Sequence, residues 1–305
     1  MQSVLECLPR ASRVGIIRLR SLGDCVLSTP ALEILKRSRP DLRLAVMVED
    51  RFRAVFEGNP DLDEILPPAL GALRRWRPRL CLNLHGGGRS AWMTALSGAR
   101  YRAGFGHFRY RAVYNVRIPR AQEILGVERK VHTAEHLASA VFYLGAPICD
   151  VPRAKVVGSV GMSADTAGMS ACATKAIIHP FATTAGKTWG AGGFLAVAQH
   201  LKQSGIEPVF IGGGGDDFSP FRAFRAIAGA PLSEIKSLIA GASLFVGNDS
   251  GPAHMAAALG VPAVVIFGAS DPAIWGPWRT VSEVVIAPGG VAQVLDALAR
   301  LRVAA

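Results

Sequence analysis

The chain has 305 residues, half of them hydrophobic, which suffices for two α/β domains with full cores and excludes a disordered protein. Its formal net charge is +11, concentrated between Arg74 and Arg129, so the first half calls for an acidic partner. The longest apolar run, Met255 to Phe267, is broken by Gly260 and Pro262 and falls short of the roughly 20 residues of a spanning helix.

Glu6, Pro9 and Arg10 interrupt any secretory core at the N-terminus, so a cytoplasmic protein is expected, with any membrane contact peripheral and at the inner face of the cytoplasmic membrane. Cys7, Cys25, Cys81, Cys149 and Cys172 are scattered without a Cys-x-x-Cys pair. That pattern suits reduced thiols filling cores, and neither a disulfide frame nor a zinc site.

In chain order, Arg13 to Arg18 reads as a buried strand, Ser21 to Cys25 as a loop, and a helix is expected from about Thr29, with Thr29 as N-cap and Pro30 in the first turn. Strand 42–48, helix 52–57, strand 80–84 and helices 91–96 and 134–144 follow. A weakly patterned stretch from Gly158 to Ala171 reads as a linker, dividing the chain into domains 1–157 and 158–305.

The second series runs strand 176–178, helix 193–203, strand 208–211, helix 233–240, strand 244–246, helix 253–259 and strand 263–267. A last helix near Val291 to Leu301 is expected to pack back on the N-terminal domain. Alternation of strand and helix predicts two doubly wound parallel sheets, and in such sheets ligands settle at the carboxyl ends of strands. The chemistry is therefore sought in strand-to-helix loops, in a cleft between two facing domains.

Four loops stand out. Gly247-Asn248-Asp249-Ser250-Gly251-Pro252-Ala253-His254 follows an apolar strand and opens a helix, where free amides would cradle an anion. Asp249 there could cap the helix or hold a ribose hydroxyl, and His254 could face a ligand or the core. Thr183-Thr184-Ala185-Gly186-Lys187 offers two hydroxyls and an ammonium that could neutralise a phosphate.

Gly212 to Gly215, ending in Asp216-Asp217, could lie against a nucleotide with a carboxylate near its ribose, or be a plain turn. Ser21-Leu22-Gly23-Asp24 places a carboxylate at the first strand end, as a general base or as a helix cap.

Other motifs weigh less. Gly186-Lys187-Thr188 resembles the end of a Walker loop, but that motif needs a glycine where Phe181 stands. His85-Gly86-Gly87-Gly88 matches an esterase oxyanion sequence without the nucleophile elbow. His132-Thr133-Ala134-Glu135-His136 fits an inverted zinc-peptidase pattern, with both imidazoles on one helical face but no third ligand marked. Asp61-Leu62-Asp63 follows Asn59-Pro60 as a turn entering a short strand.

Three blocks together resemble glycosyltransferase family nine, the lipopolysaccharide heptosyltransferases, over nearly the whole chain. They are Arg18-Leu19-Arg20-Ser21-Leu22-Gly23-Asp24 continued by Thr29-Pro30-Ala31-Leu32; His179-Pro180 with Lys187 and Trp189; and Asp249-Ser250-Gly251-Pro252-Ala253-His254. Gly190 stands where the family often has proline, and Asp216 and Asp217 where it usually has glutamate.

The resemblance implies two facing Rossmann-like domains of the GT-B type and an inverting, metal-independent transfer of a sugar, with ADP-heptose as leading donor and an acidic glycolipid as acceptor. It implies Asp24 as the catalytic base and Lys187 as the contact to the diphosphate. It further implies Asp249, Ser250, Gly251 and His254, joined by Thr183 and Thr184, as the donor site; Gly213 and Asp216 of the glycine-rich loop are expected beside them, and Arg20 and Arg89 are the expected acceptor contacts. No cofactor, metal or nucleic acid is expected. The alternatives are a non-catalytic nucleotide-sugar-binding module, and a nucleic-acid binder using the Arg and aromatic stretch from Arg100 to Arg111.

Overall fold

In the computed structural model the described residues are 2–158 and 174–301. The stretch read as a linker lies, apart from Gly158, outside the described residues, as does Cys172. The chain divides into two compact units, Met1–Val157 and Gly158–Ala305. Each holds one six-stranded sheet in which every pairing is parallel.

The first unit runs β1 (Arg13–Ile17), α1 (Leu22–Ser38), β2 (Arg43–Met47), β3 (Glu64–Leu66), α2 (Leu70–Trp76), β4 (Leu80–Asn83), α3 (Gly88–Ala95), β5 (Tyr101–Phe105), β6 (Val116–Ile118), α4 (Ala121–Leu125) and α5 (Thr133–Leu144). Its strand order is β3-β2-β1-β4-β5-β6. A 3-10 turn, Asp50–Val55, stands where a helix at 52–57 was expected. The β1 residues Val14, Ile16 and Ile17 are almost wholly buried, the unbroken apolar run of a strand covered on both faces.

The first helix begins earlier than its proline suggests. α1 starts at Leu22 with Ser21 in the cap position, so Thr29 and Pro30 lie inside it and are buried. Pro30 has no N–H for the Val26 carbonyl. The Thr29 hydroxyl donates to that carbonyl at 2.8 Å and also accepts from the Lys155 amide at 2.8 Å. Thr29 thus repairs the gap that Pro30 opens, and the pair marks a tolerated interior proline instead of a start.

The second unit repeats the plan with β7 (Lys175–His179), α6 (Ala191–Gln203), β8 (Glu207–Gly212), β9 (Arg225–Ala228), α7 (Leu232–Ala240), β10 (Leu244–Asn248), α8 (Gly251–Leu259), β11 (Ala263–Phe267), α9 (Pro272–Trp275), β12 (Ser282–Ile286) and α10 (Val291–Arg300). Its order, β12-β11-β10-β7-β8-β9, is the same topology. Phe194, Phe210 and Phe221 fill its core with Val246 and Ile266. The apolar face of α10, Val294, Ala297 and Leu298, is buried in that core, and the helix packs on α6, β11 and β12.

The expected series omits β5, β6, β9 and β12. The last three are edge strands: β6 and β9 have three and four residues, β12 leaves Val284 and Ile286 exposed, and β5 is interrupted by Arg102 and Gly104. Gly104 is required there, since a Cβ would lie 2.6 Å from the Tyr114 ring. Among the described residues no helix is long and apolar enough to cross a membrane.

One buried side chain organises the end of β4. Asn83 Nδ2, with two hydrogens to donate, lies 3.0 to 3.1 Å from Ser90 Oγ, Thr94 Oγ1 and Tyr114 Oη, and its oxygen accepts from the His85 and Gly86 amides at 2.9 and 3.0 Å. Asn83→Ala removes these bonds and opens a cavity under the loop, while Ser90 and Thr94 keep their bonds to the Gly87 and Ser90 carbonyls, so a loss of about 2 to 4 kcal/mol is expected in the first unit. Urea unfolding followed by two probes, one per unit, should show the first unit's midpoint falling and the second's unchanged.

Candidate active site

In each sheet the winding reverses once. The chain leaves β1 towards β2 and β3, then returns to lay β4, β5 and β6 on the other side; β7 and β10 are the matching pair in the second unit. Loops diverge at such a switch point and leave a crevice at the carboxyl ends of the two strands. Those loops are 18–24 and 84–88 in the first unit, and 180–190 and 248–254 in the second.

In the first unit Asp24 occupies the opening turn of α1. It does not serve as the cap: Ser21 Oγ donates to Asp24 Oδ2 at 3.0 Å, and Oδ1 is paired with Arg18 Nη2. The Asp24 side chain is 23% exposed, while Arg18 is buried. Arg18 Nη1 donates to the Leu84 carbonyl, tying the loop after β1 to the loop after β4. A carboxylate held by both oxygens keeps one orientation and still meets solvent.

His85 lies beside this pair. Burial lowers its pKa first, and the Arg18 charge lowers it further, against the Arg20 carbonyl, which favours the protonated ring. Gly86 takes φ +77°, and a Cβ there would lie 2.7 Å from the Phe108 ring. Gly87 precedes α3 with no side chain capping it. Arg20 is exposed at the same strand end, and Arg89 is exposed on α3 with Nη2 donating to the Pro68 carbonyl.

In the second unit the loops after β7 and β10 are stitched together. Asn248 Nδ2 donates to the Pro180 carbonyl at 2.7 Å, and the Trp189 amide donates to Asn248 Oδ1 at 3.0 Å. Trp189 Nε1 donates to the Gly289 carbonyl at 2.9 Å. The 3-10 turn Ala185–Lys187 sits between these anchors, with Thr183 and Thr184 exposed before it.

Lys187 Nζ lies 2.8 Å from Asp249 Oδ2, which Ser270 Oγ also approaches, and His254 Nε2 is 3.8 Å from Asp249 Oδ1. Asp249 is 5% exposed and the Lys187 side chain 30%. The carboxylate therefore stands behind the ammonium and aims it, the ammonium being the group that meets solvent. His254, open between ligand and core in the sequence, is buried in this cluster near Trp275.

Ser250 occupies the cap position of α8, yet its side chain caps nothing there. Its hydroxyl is drawn to His179 Nδ1 at 3.1 Å, and Pro252 in the first turn has no N–H to cap. The start of α8, with Gly251 beside it, is left without a side-chain acceptor, which is what an incoming anion requires.

The glycine-rich loop behaves differently. Asp216 Oδ2 accepts from the Gly213 amide at 2.6 Å, and Asp217 accepts from the Ser219 amide and hydroxyl. Both carboxylates brace their own loop.

The other motifs are accounted for locally. His132 precedes α5 and caps it, Nδ1 accepting from the Ala134 amide at 3.1 Å, so it does not share a helical face with His136. Glu135 makes two hydrogen bonds with Arg129, and His136 stacks on Phe105 with centroids 4.1 Å apart. Asp61 pairs with Lys155, and Asp63 with Lys36 and the Leu44 amide. Among the described residues no group of His, Cys, Asp and Glu could hold a metal ion.

Arg18, His179, Asn248 and Ser270 were not singled out from the sequence. Arg18 and His179 did lie inside quoted blocks, each at the end of a central strand. The roles of Asn248 and Ser270 arise from contacts between segments far apart in the chain.

The model of Glycosyltransferase family 9 (heptosyltransferase) matches residues 72–296. Lipopolysaccharide heptosyltransferase 3 of Escherichia coli (strain K12) is 25% identical over 301 residues, covering 85% of this chain and 83% of that protein. A glycosyl transferase family 9 structure from Veillonella parvula DSM 2008 superposes with TM-score 0.82 at 20% identity, over 96% of this chain and 97% of its own. The E. coli ADP-heptose lps heptosyltransferase II structure gives TM-score 0.78 at 20% identity, over 95% and 98%.

Burial lowers the pKa of His179 to about 4, so the ring is neutral in the folded state, whereas an unfolded histidine protonates near about 6.5. Its contribution is intact above that pH and is lost as pH falls towards 4, by up to roughly 1.4 kcal/mol per pH unit. Urea midpoints of the second unit should fall over this window, and less steeply in His179→Gln. An equal slope in the variant would assign the acid sensitivity to other groups.

Proposed function

The chain belongs to glycosyltransferase family 9 and is a glycosyltransferase, and from that premise we propose that it moves a heptose from ADP-heptose to a lipopolysaccharide-core or related acidic glycan, inverting the anomeric configuration without a metal. The observation that carries the reading is the pairing of a cation, Lys187, with the uncapped start of α8 at one switch point. Such a pair fits a diphosphate. The donor is taken from the related proteins, which are named as lipopolysaccharide and ADP-heptose heptosyltransferases.

In this mechanism Asp24 removes the proton of an acceptor hydroxyl as that oxygen attacks the anomeric carbon from the face opposite the nucleotide. The bond from anomeric carbon to phosphate oxygen breaks, and the departing diphosphate carries the negative charge. Lys187 and the Gly251 amide at the start of α8 receive that charge. Arg18 and Ser21 hold Asp24 in one orientation during the attack.

Thr183, Thr184 and Ser250 supply hydroxyls to the donor, and Gly251 a close backbone approach. Gly213 and Asp216 shape the donor site as a braced loop, and Asp249 and His254 position Lys187. Arg20 and Arg89 are the proposed acceptor contacts, and contact with the membrane is peripheral, through the basic first unit.

Asp24→Asn should retain nucleotide binding and lose transfer by at least about a hundredfold, the scale of general-base catalysis. Lys187→Gln should weaken ADP binding. Calorimetric titration with ADP and with ADP-, UDP- and GDP-sugars, alongside a transfer assay with and without a chelator, checks both. Selective ADP binding with chelator-resistant turnover is expected. Full turnover in Asp24→Asn would remove the base, and loss of turnover with chelator would remove the metal-independent mechanism.

A further inference from the structure

Residues 65–122 contain eleven arginines and no lysine, aspartate or glutamate. An acid-free segment of this length concentrates charge in one part of the first unit. All but one of these arginines, Arg102, are exposed.

In the middle of this field α3 turns apolar side chains outward. Trp92 is 64% exposed and Leu96, one turn further on, is 44% exposed. Tyr110, 39% exposed, lies against the start of the same helix, where a Cβ on Gly88 would be 3.3 Å from its ring. The inner face of α3, Ser90, Ala91, Met93 and Thr94, is buried, so the helix cannot roll to hide the indole.

Arginines frame this apolar strip. Arg89 is on the first turn of α3, and Arg74 Nε donates to the Leu96 carbonyl at 2.8 Å at its far end. Arg109 lies over the Tyr110 ring at 5.6 Å, and the 3-10 turn that begins at Arg111 packs against α3.

We propose that the outer face of α3 is a docking surface for an anionic lipid bilayer, with Trp92, Leu96 and Tyr110 entering the headgroup boundary and the surrounding arginines lying at the lipid phosphates. An indole and a phenol prefer that boundary because one end of each is apolar and the other polar. Arginines near an anionic surface each add attraction of the same sign, and no carboxylate in the segment opposes it.

A nucleic acid is the poorer fit. Leu96 has no face on which a base can stack, and the strip at the centre would be withheld from contact with phosphates. The biological purpose, bringing the enzyme to a lipid-anchored acceptor, rests on the function proposed above; the surface itself does not.

The test is co-sedimentation of the full chain with vesicles of phosphatidylethanolamine and phosphatidylglycerol, against phosphatidylcholine vesicles, for the wild type and for Trp92→Ser combined with Leu96→Ser. Calorimetric titration with ADP runs beside it. We expect sedimentation with the anionic vesicles, weakened by raised salt, and a loss of partitioning of roughly tenfold in the double variant. ADP binding should be unchanged in that variant, showing that it is folded.

The proposal is overturned if the wild type stays in the supernatant with anionic vesicles, or if the variant sediments as the wild type does. It is also overturned if a single-stranded oligonucleotide binds and the same two substitutions abolish that binding in place of vesicle binding. Failure of ADP to bind the wild type, with vesicle binding intact, would instead remove the transferase reading and leave the surface standing.

Discussion

All functional geometry in this protein depends on the single reversal of winding in each parallel sheet. Parallel strands cannot be joined by tight turns, so every connection crosses a face and every strand ends in a loop on the same edge. Where the winding reverses, between β1 and β4 and between β7 and β10, two such loops part and leave room for a ligand. Asp24 and His85 stand at one of these points, and Lys187, Asp249 and Ser250 at the other.

Both crevices use the same device, a buried polar group that fixes the partner meeting solvent. Arg18 is buried behind the partly exposed Asp24, and Asp249 behind the partly exposed Lys187. Each is an ion pair whose charges are removed from water unequally, so the buried partner is costly unless further bonds complete it. The Leu84 carbonyl engages a second nitrogen of Arg18, leaving its buried Nε without a partner, and Ser270 with His254 flanks Asp249. The exposed member is thereby aimed without being neutralised by a partner on the solvent side.

Asparagine does the corresponding work for the backbone. Asn83 and Asn248 are the terminal residues of β4 and β10, both fully buried, and each spends its amide on the loops that follow a switch-point strand. Asn83 folds the His85–Gly88 segment over the end of β4, while Asn248 ties Pro180 to Trp189 across two strands. A buried amide with both ends satisfied specifies one loop conformation and penalises the others. Ser250 is released from capping α8 by the same economy, because His179 takes its hydroxyl.

The sequence by itself determined the alternation of strand and helix, the two Rossmann-like halves, and the loops that stand at the switch points, because buried parallel strands leave apolar runs and glycines mark the turns after them. It also determined the family, through three short blocks in order. Only the tertiary structure decided what each polar side chain does. Thr29 and Pro30 read as a helix start because the local signal is the same at a start and at a repaired interior proline; the Lys155 amide that engages Thr29 is more than a hundred residues away. The bond from the Gly213 amide to Asp216 is not legible in the sequence, and His132 reads as half of a metal pair until it is found capping α5. Local pattern reports burial and turn chemistry, which are properties of neighbouring residues. Ion pairs and hydrogen bonds such as Arg18 with Leu84, or Lys187 with Asp249, join segments that meet only once the sheet has brought their strands together.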